Sequence, residues 1–236
     1  MNLGCLYLIP VPLAPDSAGA SFTPFLSNTV NQINEYIVEN EKTARKFLKQ
    51  AGLTMSQSEL VIHDYGKHKR TNTSMKDYFS GLLSGKDVGL MSEAGCPGVA
   101  DPGAEIIAHA HKLGIRVIPL VGPSSIMLAL MASGFNGQRF TFHGYLPIDK
   151  EQRRRQLHYA EQSALKRQET QIFIETPFRN NALLEDILKN CHEQTKLCIA
   201  CNLTADDELI ISESVKEWKK RKADFHKKPA IFLLYR

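Results

Sequence analysis

Val88-Gly-Leu-Met-Ser-Glu-Ala-Gly-Cys-Pro-Gly-Val-Ala-Asp-Pro-Gly103 is the stretch whose reading decides the fold. Its first five residues, Val88–Ser92, form a short apolar run and predict a strand buried on both faces, as in a parallel sheet covered by helices on either side. Glu93–Gly103 then places three glycines and two prolines in eleven residues. Glycine lets backbone approach a ligand closely and proline fixes its own φ, so this turn is shaped and not slack. From Ala104 to Leu113 the apolar spacing is helical, with Asp101 as the expected cap and Pro102 at the first helical position. Strand, glycine-rich turn and helix together make one βα unit of a doubly wound α/β fold.

The same alternation extends in both directions. Upstream, strands are predicted at Leu3–Ile9, Glu35–Glu39 and Leu60–Tyr65, with helices at Asn28–Ile33, Glu41–Gln50 (closed by Gly52) and Thr73–Ser84. Ile115–Leu120 closes this half as another apolar strand. Downstream, Val121-Gly-Pro-Ser-Ser125 opens a helix at Ile126–Ala132 that is apolar nearly all round and is expected to be buried. Strands are then predicted at Phe140–His143, Gln171–Glu175, Lys196–Leu203, Glu208–Ser212 and Ala230–Tyr235. Helices at Glu151–Gln168 and Asn180–Lys189, and a short one bearing Trp218, lie between them. The expected architecture is α/β with mostly parallel sheets, in an N-terminal domain over 1–120 and a C-terminal domain over 121–236, rigidly joined.

Composition bounds the function. The 236 residues, 43% hydrophobic and 23% charged, suit one large or two smaller globular domains and exclude wholesale disorder. No apolar run approaches the ~20 residues that span a bilayer, and Leu6–Leu13 has no basic residue before it as a signal peptide would. A soluble, cytoplasmic protein is expected. The five cysteines lack paired spacing, which fits a reducing compartment. Cys198 and Cys201 match CxxC but fall in a predicted strand, where residues three apart point to opposite faces, so no zinc knuckle is read there.

Net charge is +4, too small by itself to argue for nucleic acid. Its distribution is more pointed: Arg153-Arg154-Arg155 run together, and Lys216–Lys228 is basic with only Glu217 and Asp224 opposing. Such clusters meet phosphates or simply solvate helix faces.

In an open α/β sheet, ligands bind beyond the C-terminal ends of the strands. Four loops with unusual chemistry stand there: Pro10–Asp16, Glu93–Gly103, Val121–Ser125 and Glu175–Arg179. None is a Walker A loop, a GxGxxG fingerprint or a GxSxG elbow. Gly122-Pro-Ser-Ser125 offers free N–H groups and hydroxyls to a carboxylate or phosphate, or is a plain helix cap. Glu93 and Glu175, each following an apolar strand, either bind amines and accept protons or cap helices. His109 and His111 are two apart on a helix and diverge, and His63 and His68 have no partner spacing, so no metal site is expected. The residues alone point to an α/β enzyme for a small ligand, without metal or covalent catalysis.

Several motifs in order carry a resemblance. Glu93-Ala-Gly-Cys-Pro97, Asp101-Pro-Gly103, Gly122-Pro-Ser-Ser125, Ser133-Gly134 and Phe140-Thr-Phe-His-Gly-Tyr-Leu-Pro147, followed by an arginine-rich helix, resemble the tetrapyrrole-methylase superfamily of S-adenosylmethionine-dependent methyltransferases. Within it the chain is most similar to the bacterial small-subunit rRNA 2′-O-ribose cytidine methyltransferases, from Leu6 to about Glu208. The resemblance implies a two-domain fold, a homodimer, and S-adenosylmethionine in the interdomain cleft. It implies that Leu13 contacts the cofactor after the first strand and that Glu93, Gly95, Cys96 and Val99 form the glycine-loop wall. Ser125 and Ile126 would hold the methionine or ribose portion. Glu175, Thr176 and Asn202 would line the second-domain side, with Pro229 and Ala230 near the adenine. Arg153, Arg154 and Arg155, with Lys219, Lys220, Arg221 and Lys222, would face the phosphates of ribosomal RNA or a small ribosomal subunit.

The chain also departs from the family pattern. Ala14-Pro15 stand where Gly-Asn is usual, Glu93 replaces Asp, and Phe178 replaces the His of Glu-Ser-Pro-His-Arg. Cys201-Asn-Leu-Thr-Ala205 replaces the charged Arg-Glu-Leu-Thr-Lys. These changes keep two alternatives open: a methyltransferase of the same fold acting on a small molecule such as a tetrapyrrole, and a lapsed RNA-binding homologue.

Overall fold

The computed structural model describes residues 2–15, 17–66 and 75–236. Asp16 of the first loop, His68 and the predicted helix start at Thr73 lie outside those residues. Two compact units follow one another, Met1–Ser124 and Ser125–Arg236.

The first unit contains β1 (Cys5–Leu8), α1 (Ala18–Ser21), α2 (Pro24–Gln32), β2 (Glu35–Val38), α3 (Glu41–Gln50) and β3 (Val61–Asp64), then α4 (Met75–Leu83), β4 (Val88–Met91), α5 (Gly103–Lys112) and β5 (Arg116–Pro119). Only α1 and a 3-10 turn at Gln57–Glu59 were not expected; both are too short to carry an apolar period. The strands pair in the order β3-β2-β4-β1-β5, all parallel. Alternation along each strand feeds two cores. Tyr36 and Val38 of β2 pack with Leu26 and Val30 of α2 and Phe47 and Leu48 of α3. Ile37, between them, packs with Phe79 and Leu82 of α4 and Ile106 of α5. Helices therefore cover both faces, and β4 is buried throughout.

The cap of α5 differs in detail from expectation. Pro102 occupies the N-cap position, and the Asp101 carboxylate accepts the N–H of Gly98 at 2.9 Å and of Gly103 at 2.6 Å. One side chain thus pins the glycine loop to the helix it feeds.

The second unit contains α6 (Ser125–Ser133), β6 (Phe140–Tyr145), α7 (Lys150–Arg167), β7 (Thr170–Ile174), α8 (Asn180–Asn190), β8 (Lys196–Cys201), β9 (Leu209–Ser214), α9 (Val215–Trp218) and β10 (Ala230–Tyr235). Its sheet order is β6-β7-β10-β8-β9. Only β6–β7 is parallel; β10 runs antiparallel to both β7 and β8, and β9 is antiparallel to β8. Parallel pairing prevails over the molecule because the first sheet is wholly parallel, while the second is mixed. The short loop from β8 to β9 has no crossover helix, so those strands can only pair antiparallel.

One face of this sheet packs against α7, α8 and α9 through Leu157, Leu183, Ile187 and Trp218, whose indole N–H donates to the Leu197 carbonyl at 2.8 Å. Cys201 joins that core beside Leu197 and Ile199, whereas Cys198 is buried on the opposite face, as strand alternation requires. The other face carries α6, which packs on β8, β9 and β10. Contrary to expectation α6 is not buried all round: Ile126, Ala129 and Leu130 face the sheet, but Met127 is exposed and Met131 is 76% exposed.

Candidate methyl-donor site

The first unit brings three loops together at the C-terminal ends of its adjacent strands β4, β1 and β5. Val11, after β1, and Gly95, after β4, exchange both backbone hydrogen bonds at 3.0 Å. Gly95 sits at φ +73°, and a Cβ there would stand 3.3 Å from Leu13 Cδ2 and 3.6 Å from the Pro123 carbonyl. The bare Cα is what lets the three loops close on one another. Cys96 donates its S–H to the Pro123 carbonyl at 3.3 Å, and burial pushes its thiol above the ordinary range.

Leu13 and Glu93 line a cavity of about 220 Å³ together with Val11, Pro12, Phe47 and Ser92. Glu93 is exposed, with its backbone N–H held by the Glu39 carboxylate at 3.2 Å. Val99 is exposed in the same loop, and its N–H donates to the Cys96 carbonyl at 3.3 Å. Glu39 was missed at the level of sequence. It follows the apolar strand β2 just as Glu93 follows β4, and that shared pattern was the available signal.

In the second unit, strand register gathers the remaining candidates at one end of the sheet. Ile231 pairs with Ile174 and Ala230 with Cys201, so Glu175, Asn202 and Pro229 are neighbours just beyond. The Asn202 N–H donates to the Pro229 carbonyl at 2.9 Å, and Asn202 is left-handed at φ +49° with its amide on Asp207 at 2.7 Å. Glu175 is buried, and its carboxylate accepts Arg179 Nε at 3.0 Å and its own Thr176 N–H at 2.6 Å. It is an anchored acceptor. Phe135, just past α6, stacks on Tyr235 at the far end of β10. The first turn of α6, with Ser125 and Ile126, therefore lies toward the Ala230 end.

The basic candidates separate. Arg153 is buried, with its guanidinium on Asp186 Oδ2 at 2.7 Å and on the carbonyls of Pro147 and Ile148 at 3.1 and 2.8 Å. It ties α7 to α8, and the burial of its guanidinium in those bonds takes it off the surface where an RNA phosphate would be met, which corrects its assignment to the RNA surface. Arg154 and Arg155 are exposed and share Glu151. Lys219 pairs with Glu193 at 3.2 Å and Arg221 with Glu213, while Lys220 and Lys222 are exposed. Among the described residues no cluster of metal-ligating side chains occurs, and no helix is long and apolar enough to cross a membrane. His63 Nε2 lies 2.9 Å from the Glu35 carboxylate, which accepts its N–H, and His109 packs on Phe79.

These sets suit S-adenosylmethionine, whose parts are a cationic sulfonium, an amino-acid tail, a ribose and an adenine. Glu93 supplies an exposed carboxylate to a cavity whose lining is otherwise mostly apolar, with Lys46, Gln50, Thr43 and Ser92 as its other polar members. Thr204, two residues past Asn202, has a buried hydroxyl without a hydrogen-bond partner among the described residues, as expected of a group that a ligand completes.

The family model described as Tetrapyrrole (Corrin/Porphyrin) Methylases matches residues 28–219. A Ribosomal RNA small subunit methyltransferase I from Synechocystis sp. is 31% identical over 202 residues, 86% of this chain and 68% of that protein. A protein of the same name from Bacillus subtilis is 29% identical over 216 residues, 92% of this chain and 69% of its own. Among solved structures, the methyltransferase CobJ superposes with a TM-score of 0.61 at 15% identity, covering 99% of this chain and 94% of that one. A uroporphyrin-III-C-methyltransferase from Thermus thermophilus gives 0.55 at 14% identity, covering 98% and 92%. At such identities the two structures speak for the fold alone. The chain belongs to the tetrapyrrole (corrin/porphyrin) methylase family and is a methyltransferase whose methyl donor is S-adenosylmethionine.

Proposed function

We propose that the chain methylates a ribose 2′-hydroxyl of small-subunit ribosomal RNA, acting as a cytoplasmic homodimer. The observation that supports this reading is the 31% identity over 86% of the chain with a protein named as a methyltransferase of small-subunit ribosomal RNA. The donor's sulfonium supplies an already activated methyl group, so the protein's work is alignment of an acceptor oxygen with it. Leu13, Gly95 and Cys96 would shape the wall of the first unit, and the Glu93 carboxylate would face the positive charge. In the second unit Ser125 would offer helix N–H groups to the donor's carboxylate. Asn202, Thr204 and the Pro229–Ala230 turn would bound the adenine. Glu175, held by Arg179, would keep that wall in place. The RNA phosphates would meet Arg154, Arg155, Lys220 and Lys222, with Lys219 and Arg221 reaching them only by leaving their acidic partners.

The reading is tested by incubating the protein with methyl-labelled S-adenosylmethionine and, in parallel, purified small ribosomal subunits lacking the modification or a uroporphyrinogen. Label is expected in subunit RNA, in dinucleotides that survive alkali because a 2′-O-methyl group blocks cleavage at the adjacent phosphate. Label in the tetrapyrrole alone would move the protein to small-molecule methylation; donor binding with label in neither would make it a lapsed homologue.

A further inference from the structure

On the loop that follows Glu175 and Thr176 stands an exposed aromatic ring outside the donor-site residues proposed above. Phe178 follows Thr176 and Pro177 on the loop from β7 to α8 and is 68% exposed. Its ring meets the exposed His226 edge-on, with centroids 5.9 Å apart and an interplanar angle of 73°. The two residues come from loops distant in sequence, and a dense set of hydrogen bonds holds those loops together. The Lys227 N–H donates to the Pro177 carbonyl at 2.9 Å. The Asn181 side chain accepts the Phe225 N–H at 2.8 Å and donates to Asp224 at 2.7 Å. Asn180 donates to the Lys228 carbonyl at 2.6 Å. Asp224 also accepts the His226 N–H at 2.9 Å, and its bond from Asn181, first, with that N–H second, keeps its carboxyl below the usual range.

A large apolar ring is thus held in water by a hydrogen-bonded support, and the loop that carries His226, between α9 and β10, is basic: Lys222 and Lys227 are exposed in it, and its Asp224 is already hydrogen-bonded. Aromatic faces on a positively charged, preformed rim are what single-stranded RNA binds, because every base has a stackable face and every linkage a negative charge. We propose that Phe178 and His226 form a stacking platform for a nucleobase of the RNA strand that carries the acceptor ribose. The proposal rests on the ribosomal RNA reading and adds to it where the strand is gripped. Phe178 is then a positioning residue: it touches a base and not the reacting oxygen.

The test uses the full-length protein with two probes, purified small ribosomal subunits and an oligocytidylate. Phe178→Ala is expected to lower oligocytidylate affinity roughly 5- to 150-fold and to reduce subunit methylation, with S-adenosylhomocysteine affinity unchanged. Phe178→Trp is expected to keep RNA affinity, and its emission should be quenched by the oligocytidylate but not by an abasic strand of equal length. The native Trp218 is 1% exposed and contributes little to such quenching. Wild-type RNA affinity in Phe178→Ala would overturn the platform and leave the RNA reading standing. Absence of RNA binding and methylation in the unaltered protein would overturn both. A change of oligomeric state in Phe178→Ala, with RNA affinity intact, would assign the ring to a contact between copies of the chain and also overturn the platform.

Discussion

At Gly122 a single missing Cβ decides how closely two loops approach. A Cβ placed there would stand 2.2 Å from Pro10 Cβ, and the backbone is not left-handed, so the conflict is purely steric. Gly122→Ala is expected to lose about 1–3 kcal/mol of stability by overpacking. It should also weaken S-adenosylhomocysteine binding, because Pro10 and Pro123 flank the loop contacts around Gly95. Urea denaturation beside calorimetric titration would measure both; unaltered values in each would mean that the two loops move apart freely. Gly122 was legible in the sequence as part of a motif, but its steric role was not, since Pro10 is the far side of the contact.

At the scale of the element, α7 shows why three consecutive arginines do not share one role. Successive residues on a helix are about 100° apart, so Arg153 turns inward while Arg154 and Arg155 point to water. Arg153→Ala leaves Asp186 without its partner and is expected to cost on the order of 3 kcal/mol in chemical denaturation. Arg154→Ala and Arg155→Ala should each stay within about 0.5 kcal/mol. The double variant of that exposed pair should instead flatten the dependence of RNA affinity on salt, by about 1–2 units of log–log slope. A steep loss of stability in the double variant, or none in Arg153→Ala, would reverse these roles. The sequence showed the cluster and not its division, because Asp186 lies 33 residues away from Arg153.

For the whole molecule, a ligand that binds only the folded state raises its stability by mass action. S-adenosylhomocysteine at a hundred times its Kd should add about 2.7 kcal/mol. For a chain of this size that is a rise in Tm of about 5–10 °C, read by scanning calorimetry. An unmoved Tm at saturating ligand would contradict binding of the donor's product by the folded protein.

The order of helices and strands, the glycine loop after β4 and the family itself were determined by the sequence alone. Apolar periods, caps and turn residues act over a few positions and leave their mark locally. The tertiary structure alone decided that the second sheet is mixed, that Met127 and Met131 of α6 stay exposed, that Arg153 serves the core, and that Phe178 meets His226. Each of these depends on a partner brought from elsewhere in the chain. Pairing direction, burial and ring contact are properties of two segments at once, and no period within either segment encodes them.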